Sequence, residues 1–152
     1  MYNAIIKEQH SQERVTKMYN GSQLLSTEPI VISTYRGLVT VEDVQQAAVE
    51  LAKMLDSAVG KLYIVVDLLD IDSSFAEVMK IIAQQSQGEA GTTTDPRIGA
   101  LALVGTNVMA KLYSQAMEKR HEGVRIPMYT RVSDALAAVR MLIQYDHAKK
   151  AS

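Results

Sequence analysis

The sequence predicts an α/β domain built on a mixed sheet, and three observations predict it. Leu62-Tyr63-Ile64-Val65-Val66 and Ile98-Gly99-Ala100-Leu101-Ala102-Leu103-Val104 are apolar at consecutive positions, as a strand covered by helices on both faces requires. Each is followed by a stretch with apolar residues three and four apart, the period of an amphipathic helix. Ahead of both, Ile30 to Tyr35 is rich in β-branched and aromatic residues and is punctuated by Gly37, which reads as a strand. The 152 residues, 47% hydrophobic and 22% charged, suffice for one core and exclude a disordered tail protein. No repeat, low-complexity tract or linker divides the chain, so a single domain over 1–152 is expected.

The elements follow in order. Met1 to Thr27 is the least periodic stretch, and weakly ordered ends are expected over 1–14 and 146–152. A short strand at Val15 to Tyr19, turning near Asn20-Gly21, is the expected antiparallel partner of Ile30–Tyr35. Thr40 stands three residues ahead of Asp43, a hydroxyl-then-carboxylate spacing that starts a helix. Val44, Ala48, Leu51 and Leu55 give that helix its apolar stripe, and Gly60 ends it. Leu62–Val66 is the central strand and Asp67 to Asp72 its exit. Ser74 and Glu77 form a second capping box, for a helix whose face carries Phe75, Val78, Met79 and Ile82. Ser86 to Arg97 holds Gly88, Gly91, Thr92 to Thr94 and Asp95-Pro96, an exposed loop by composition. After Ile98–Val104, Gly105-Thr106-Asn107 opens a helix with Met109, Leu112, Tyr113, Ala116 and Met117 inward. A strand at Arg125 to Tyr129 and a helix from Ser133, with Leu136, Val139 and Ile143 inward, complete the chain. Each parallel connection should be a right-handed crossover, and ligands in such sheets sit outside the carboxyl ends of the strands. Here those ends are Asp67 to Ser74, Gly105 to Asn107 and Tyr129 to Ser133.

Several function classes are disfavoured. Sixteen Lys plus Arg against seventeen Asp plus Glu leave a net charge of -1 and no field drawing the protein to nucleic acid. Without cysteine there is no disulfide, thiolate nucleophile or Cys-ligated metal. His10, His121 and His147 do not converge in sequence, and no metal site is expected from them. The start of the chain is too polar for a signal peptide and no apolar run is long enough for a membrane span, so a cytoplasmic protein is expected. No nucleophile elbow, P-loop or dinucleotide fingerprint occurs, and no catalytic residue and no cofactor are assigned.

Val65-Val66-Asp67-Leu68-Leu69-Asp70-Ile71-Asp72-Ser73-Ser74, a central strand ending in Asp-Leu and a short loop to Asp-Ser-Ser at a helix start, resembles the STAS domain of anti-sigma factor antagonists and sulfate-transporter tails. It is similar, too, to the broader SpoIIAA-like group, and the element order agrees over Val15 to Leu142. The resemblance implies a STAS/SpoIIAA-like domain with an N-terminal antiparallel hairpin and about four helices. It also implies a non-enzymatic, regulatory protein-protein interaction. In the regulatory branch of that family a serine of the motif is phosphorylated by a partner kinase. Asp67 matches the strand-end aspartate, Asp72 the loop aspartate, and Ser73 and Ser74 the two serines. Phe75 stands where that pattern has glycine, and the Asp67-to-Asp72 segment is shorter than in it. The expected partner surface is therefore Asp67, Asp72, Ser73, Ser74 and Phe75, with Thr106 and Asn107 beside them. A plainer account makes Ser74 only a helix cap. Asp67, Asp70 and Asp72 also suggest a receiver-like phosphoacceptor site, but the acidic pair and lysine of that family have no match, and solvated loop acids are the simpler reading.

The alternative is a carrier of a small apolar ligand. Met54, Met79, Met109, Met117, Met128 and Met141 are spread through the elements, and flexible thioethers fill irregular cores but also adapt to greasy ligands. The SpoIIAA-like fold is similar to the lipid-carrying SEC14 type, which places an expected cavity between sheet and helices or under Gly88 to Pro96. Homodimerisation through the hairpin edge is a further expectation, with a monomer left open.

Overall fold

Side-chain alternation along the strands sets up two separate cores, one on each face of a single sheet. The computed structural model of the chain describes residues 21–84, 90–120 and 126–151. In order these form β1 (Gly21–Leu24), β2 (Ile30–Thr34), α1 (Val41–Ser57), β3 (Leu62–Asp67), α2 (Phe75–Gln84), β4 (Ile98–Val104), α3 (Val108–Arg120), β5 (Met128–Tyr129) and α4 (Val132–Ala151). The sheet runs β1-β2-β3-β4-β5, with β1 antiparallel to β2 and every other pair parallel. The predicted mixed α/β architecture, the leading hairpin and the side-by-side parallel course of Leu62–Val66 and Ile98–Val104 are all present.

On one face Val31, Ile64, Val66, Leu101 and Leu103 pack with Leu51 and Leu55 of α1 and Ala110 and Met117 of α3. On the other, Ile30, Tyr63, Val65, Ala102 and Val104 pack with Ala135, Val139 and Ile143 of α4. The odd-even split of β3 between the two lists is the strand period made visible, and it explains why that strand is apolar at every position. The β3–β4 register slips between Leu62 and Tyr63, leaving Gly99 as the extra residue. A Cβ on Gly99 would lie 2.7 Å from the Tyr63 ring, so the bulge needs glycine for that ring to lie against it. The Tyr63 hydroxyl donates to Asp146 of α4, which ties the closing helix to the central strand. Burial, then this bond to a carboxylate, push the Tyr63 phenol up to about 12.

Several local expectations are corrected. The described partner of β2 is Gly21–Leu24, not Val15 to Tyr19; the latter, with all of 1–20, lies outside the described residues. The connection is the Leu25 to Pro29 segment, closed by the Leu25 amide donating to the Ile30 carbonyl at 2.9 Å. Helix α2 buries Val78 and Ile81, while Phe75 and Met79 of the expected inward face are 59% and 43% exposed. With apolar residues at 75, 78, 79, 81 and 82 the stripe is wide enough to be read two ways, and packing selects the Val78 side. Helix α3 turns Met117 of the expected inner face fully inward, with Tyr113 and Ala116 half-buried against the same core, and buries Ala110 and Ser114 besides. Helix α4 continues to Ala151. Among the described residues no helix is long and apolar enough to cross a membrane.

Candidate functional site

The carboxyl ends of β2, β3 and β4 are knitted into one rim. Past the end of β2, the Tyr35 amide donates to the Asp67 carbonyl at 3.1 Å, the Gly37 amide to Asp70 at 2.9 Å, and the Asp72 amide back to Gly37 at 2.8 Å. The two exit loops thus continue the parallel pairing beyond the strands, ending in the Gly37–Ile71 bridge. Asp67 accepts from the Leu69 amide at 3.0 Å through Oδ1, the turn that sends the chain sideways out of β3. Asn107 does two jobs: Oδ1 accepts from the Ala110 amide at 2.8 Å, capping α3, and Nδ2 donates to the Ile71 carbonyl at 3.1 Å. Arg36 sits 3.7 Å from Asp70 across the exposed surface.

The two serines of the motif part company here. Ser73 is 6% exposed; its hydroxyl donates to the Val39 carbonyl and accepts from the Val39 amide, both at 3.0 Å. It is a side-chain bridge between the α1 entry and the α2 entry, not a surface group. Ser74 is exposed, and its hydroxyl accepts from the Glu77 amide at 3.2 Å, the helix-cap half of the expected box. Asp72, Phe75 and Thr106 are exposed on the same rim, and Asp67 and Asn107 are half-buried beneath it. Near this rim Leu38, at 59%, and Val108, at 72%, are exposed apolar residues that sequence reasoning did not single out. Val108 directly follows the capping Asn107 and Leu38 stands two residues ahead of the capping Thr40, which is the signal that could have found them.

Beneath the rim, between the α1–α2–α3 side of the sheet and those helices, lies a partly open cavity of about 600 Å³. Its volume is in the range of small-molecule sites. Its walls are mainly apolar side chains: Val39 and Val44 at one end, Ile64, Val66 and Leu101 on the floor, Val78 and Ile81 opposite. Two stripe residues of α1, Val44 and Ala48, are only half-buried because they face this space instead of a neighbour. The small side chains Ala47, Ala48 and Ala52 keep α1 from filling it.

One side is closed by the 90–97 loop, expected to be exposed and found instead packed on α1. Gly91 has φ +77°, and a Cβ there would come 1.8 Å from the Ala48 carbonyl oxygen, so only glycine permits the approach. Asp95, 4% exposed, organises the loop by accepting from the Gly91 amide at 2.8 Å and from the amide, Nε and Nη2 of Arg97 at 3.0, 3.1 and 2.9 Å. The Arg97 guanidinium holds the Asp95 carboxyl down at about 2, well below its ordinary range, against the opposing effect of burial. Arg97 also pairs with Asp56 of α1, fastening loop to helix. Thr93 donates to the Met117 sulfur at 3.2 Å, fastening it to α3. Residues 85–89 lie outside the described set.

A hairpin-led parallel sheet of this order, three helices on one face and the closing helix on the other, is a SpoIIAA-like α/β fold. No protein-family model and no curated protein matches the chain. Among solved structures it is similar to that of an uncharacterized protein from the DUF3478 family with a SpoIIAA-like fold, from Shewanella loihica PV-4. The TM-score is 0.51 at 14% sequence identity, covering 77% of this chain and 89% of that one. The fold implied by the Asp-Ser-Ser resemblance is thereby shown.

Proposed function

We propose that this chain is a non-enzymatic binding module that takes a small apolar ligand into the cavity under α1 and α2. The carrying observation is the cavity itself: about 600 Å³ of mainly apolar space, closed on one side by a loop clamped with a buried carboxylate. A solid core would forgo that space to side chains, since empty apolar volume weakens packing. The test is binding of the neutral dye Nile red, whose fluorescence rises in apolar surroundings. The native chain should light it up with saturable stoichiometry. Val78→Phe, which places a ring in the space, should lower the affinity at least tenfold while the far-ultraviolet circular dichroism is unchanged. Equal binding by both, or none by either, would overturn the reading.

A second reading has its own observation. Leu38, Phe75 and Val108 are exposed on the rim that also carries Ser74, Asp72 and Thr106. Exposed apolar side chains beside charged ones suit a regulatory protein partner, and a phosphate on Ser74 would sit at the α2 amino terminus, where the helix dipole favours it. Incubation with native lysate and phosphosite mass spectrometry tests this. Phosphate on Ser74 and not on Ser73 supports it; both serines unmodified, with a partner still captured, removes the switch.

A further inference from the structure

We infer that the ligand of the cavity is a single-chain amphiphile with an anionic head, of the fatty-acid class, its chain on the sheet and its carboxylate at Lys53. The inference rests on the apolar-ligand reading and adds the head group. Among the described residues that line the cavity, Lys53 is the only one with a formal charge. Its position is not arbitrary. The lining residues that are themselves exposed, Gln45, Val49 and Lys53 on one ridge of α1, with Gln84 and Ala90 opposite, mark the mouth. The deep walls, Ile64, Val66 and Leu101 on the sheet, are hydrocarbon.

Lys53 makes no ion pair with another described residue; of the two acids one turn from it on α1, Asp56 pairs with Arg97 and Glu50 has an interaction of its own. A cation at the mouth and a greasy interior behind it are complementary to one kind of molecule, an alkyl chain ending in an anion. A neutral apolar ligand would leave Lys53 without a role, and a dianionic or sugar-like ligand would have to desolvate its polar groups against aliphatic walls. The magnitudes divide the labour. Each buried methylene is worth about fourfold in affinity, so the chain supplies most of the binding. A water-exposed charge pair is worth up to about fivefold, so Lys53 decides between head groups.

The experiment is calorimetric titration of the full chain with octanoate, decanoate and dodecanoate below their micelle concentrations, and with 1-decanol as the uncharged partner of decanoate. Affinity should climb along the acid series, and decanoate should bind several-fold tighter than 1-decanol. That preference should shrink with added salt. In Lys53→Met, an exposed position where folding is checked by the melting temperature, the preference should vanish while 1-decanol binds as before. Equal binding of acid and alcohol by the native chain, or a preference that survives Lys53→Met, overturns the head-group assignment and leaves the apolar-ligand reading standing. No binding of any of the four, together with no Nile red signal, overturns both.

Discussion

Adjacent serines illustrate how far burial separates chemically identical groups. Ser73 completes two hydrogen bonds for the Val39 backbone in the interior, whereas Ser74 completes one for the Glu77 amide at the surface. Removing a partner from a buried donor and acceptor is worse than removing a helix cap from solvent, where water replaces it. Ser73→Ala should therefore destabilise the fold by about 2 to 3 kcal/mol and Ser74→Ala by about 1 kcal/mol. Ser74→Asp should be close to neutral because aspartate caps equally well; urea denaturation of the three variants measures all of this. The Asp-Ser-Ser order was legible in the sequence, and so was the cap. Which serine faces water was not, because that depends on the approach of Val39, thirty-four residues away in the chain.

Elements were legible where one periodicity dominates, as in the all-apolar β3 or the Thr40 to Asp43 start of α1, where both halves of the capping box form. They were less so where composition was read without contacts. The 90–97 loop has the glycine, threonine and proline content of a solvent loop, yet Gly91 and Asp95 are buried in it. Nothing local announces that Gly91 meets the Ala48 carbonyl or that Arg97 reaches Asp56. The clamp has a pH signature. Its carboxyl titrates at about 2 in the fold against an ordinary 3.8. A depressed carboxyl contributes stability that is present above the ordinary value and is lost as pH falls through the folded one. Stability should thus decline by about 1 to 2 kcal/mol on acidification from pH about 4 to about 2 on account of this group. Asp95→Asn should start lower at neutral pH and lack this part of the decline, which urea midpoints taken across that window will show.

At the scale of the molecule the sheet separates two cores, each with a hollow beside it, the larger of the two on the α1–α2 side. On the α4 side the Tyr63 ring, its bond to Asp146 and the Ala135, Val139 and Ile143 stripe form the core, beside a space of about 380 Å³ lined by Ala100 and Ala102 of β4 and Ala138 and Leu142 of α4. On the α1–α2 side Leu51, Leu55, Ala110 and Met117 pack on the sheet and the cavity of about 600 Å³ lies beside them. A ligand that binds only the folded chain at a hundred times its dissociation constant adds about 2.7 kcal/mol, which for a domain of this size raises the melting temperature by roughly 5 to 10 °C. Differential scanning calorimetry with and without decanoate reads that shift directly, and a shift below a degree at saturation would contradict folded-state binding.

The difference in hollow volume has a mechanical corollary. Chains whose folded form contains voids lose volume when they unravel, so hydrostatic compression works against them. Amides of α1 and α2, around the larger hollow, should therefore begin to exchange with deuterium at lower kilobar loads than those of α4, and an occupant that plugs that hollow should narrow or reverse the difference between the two sides.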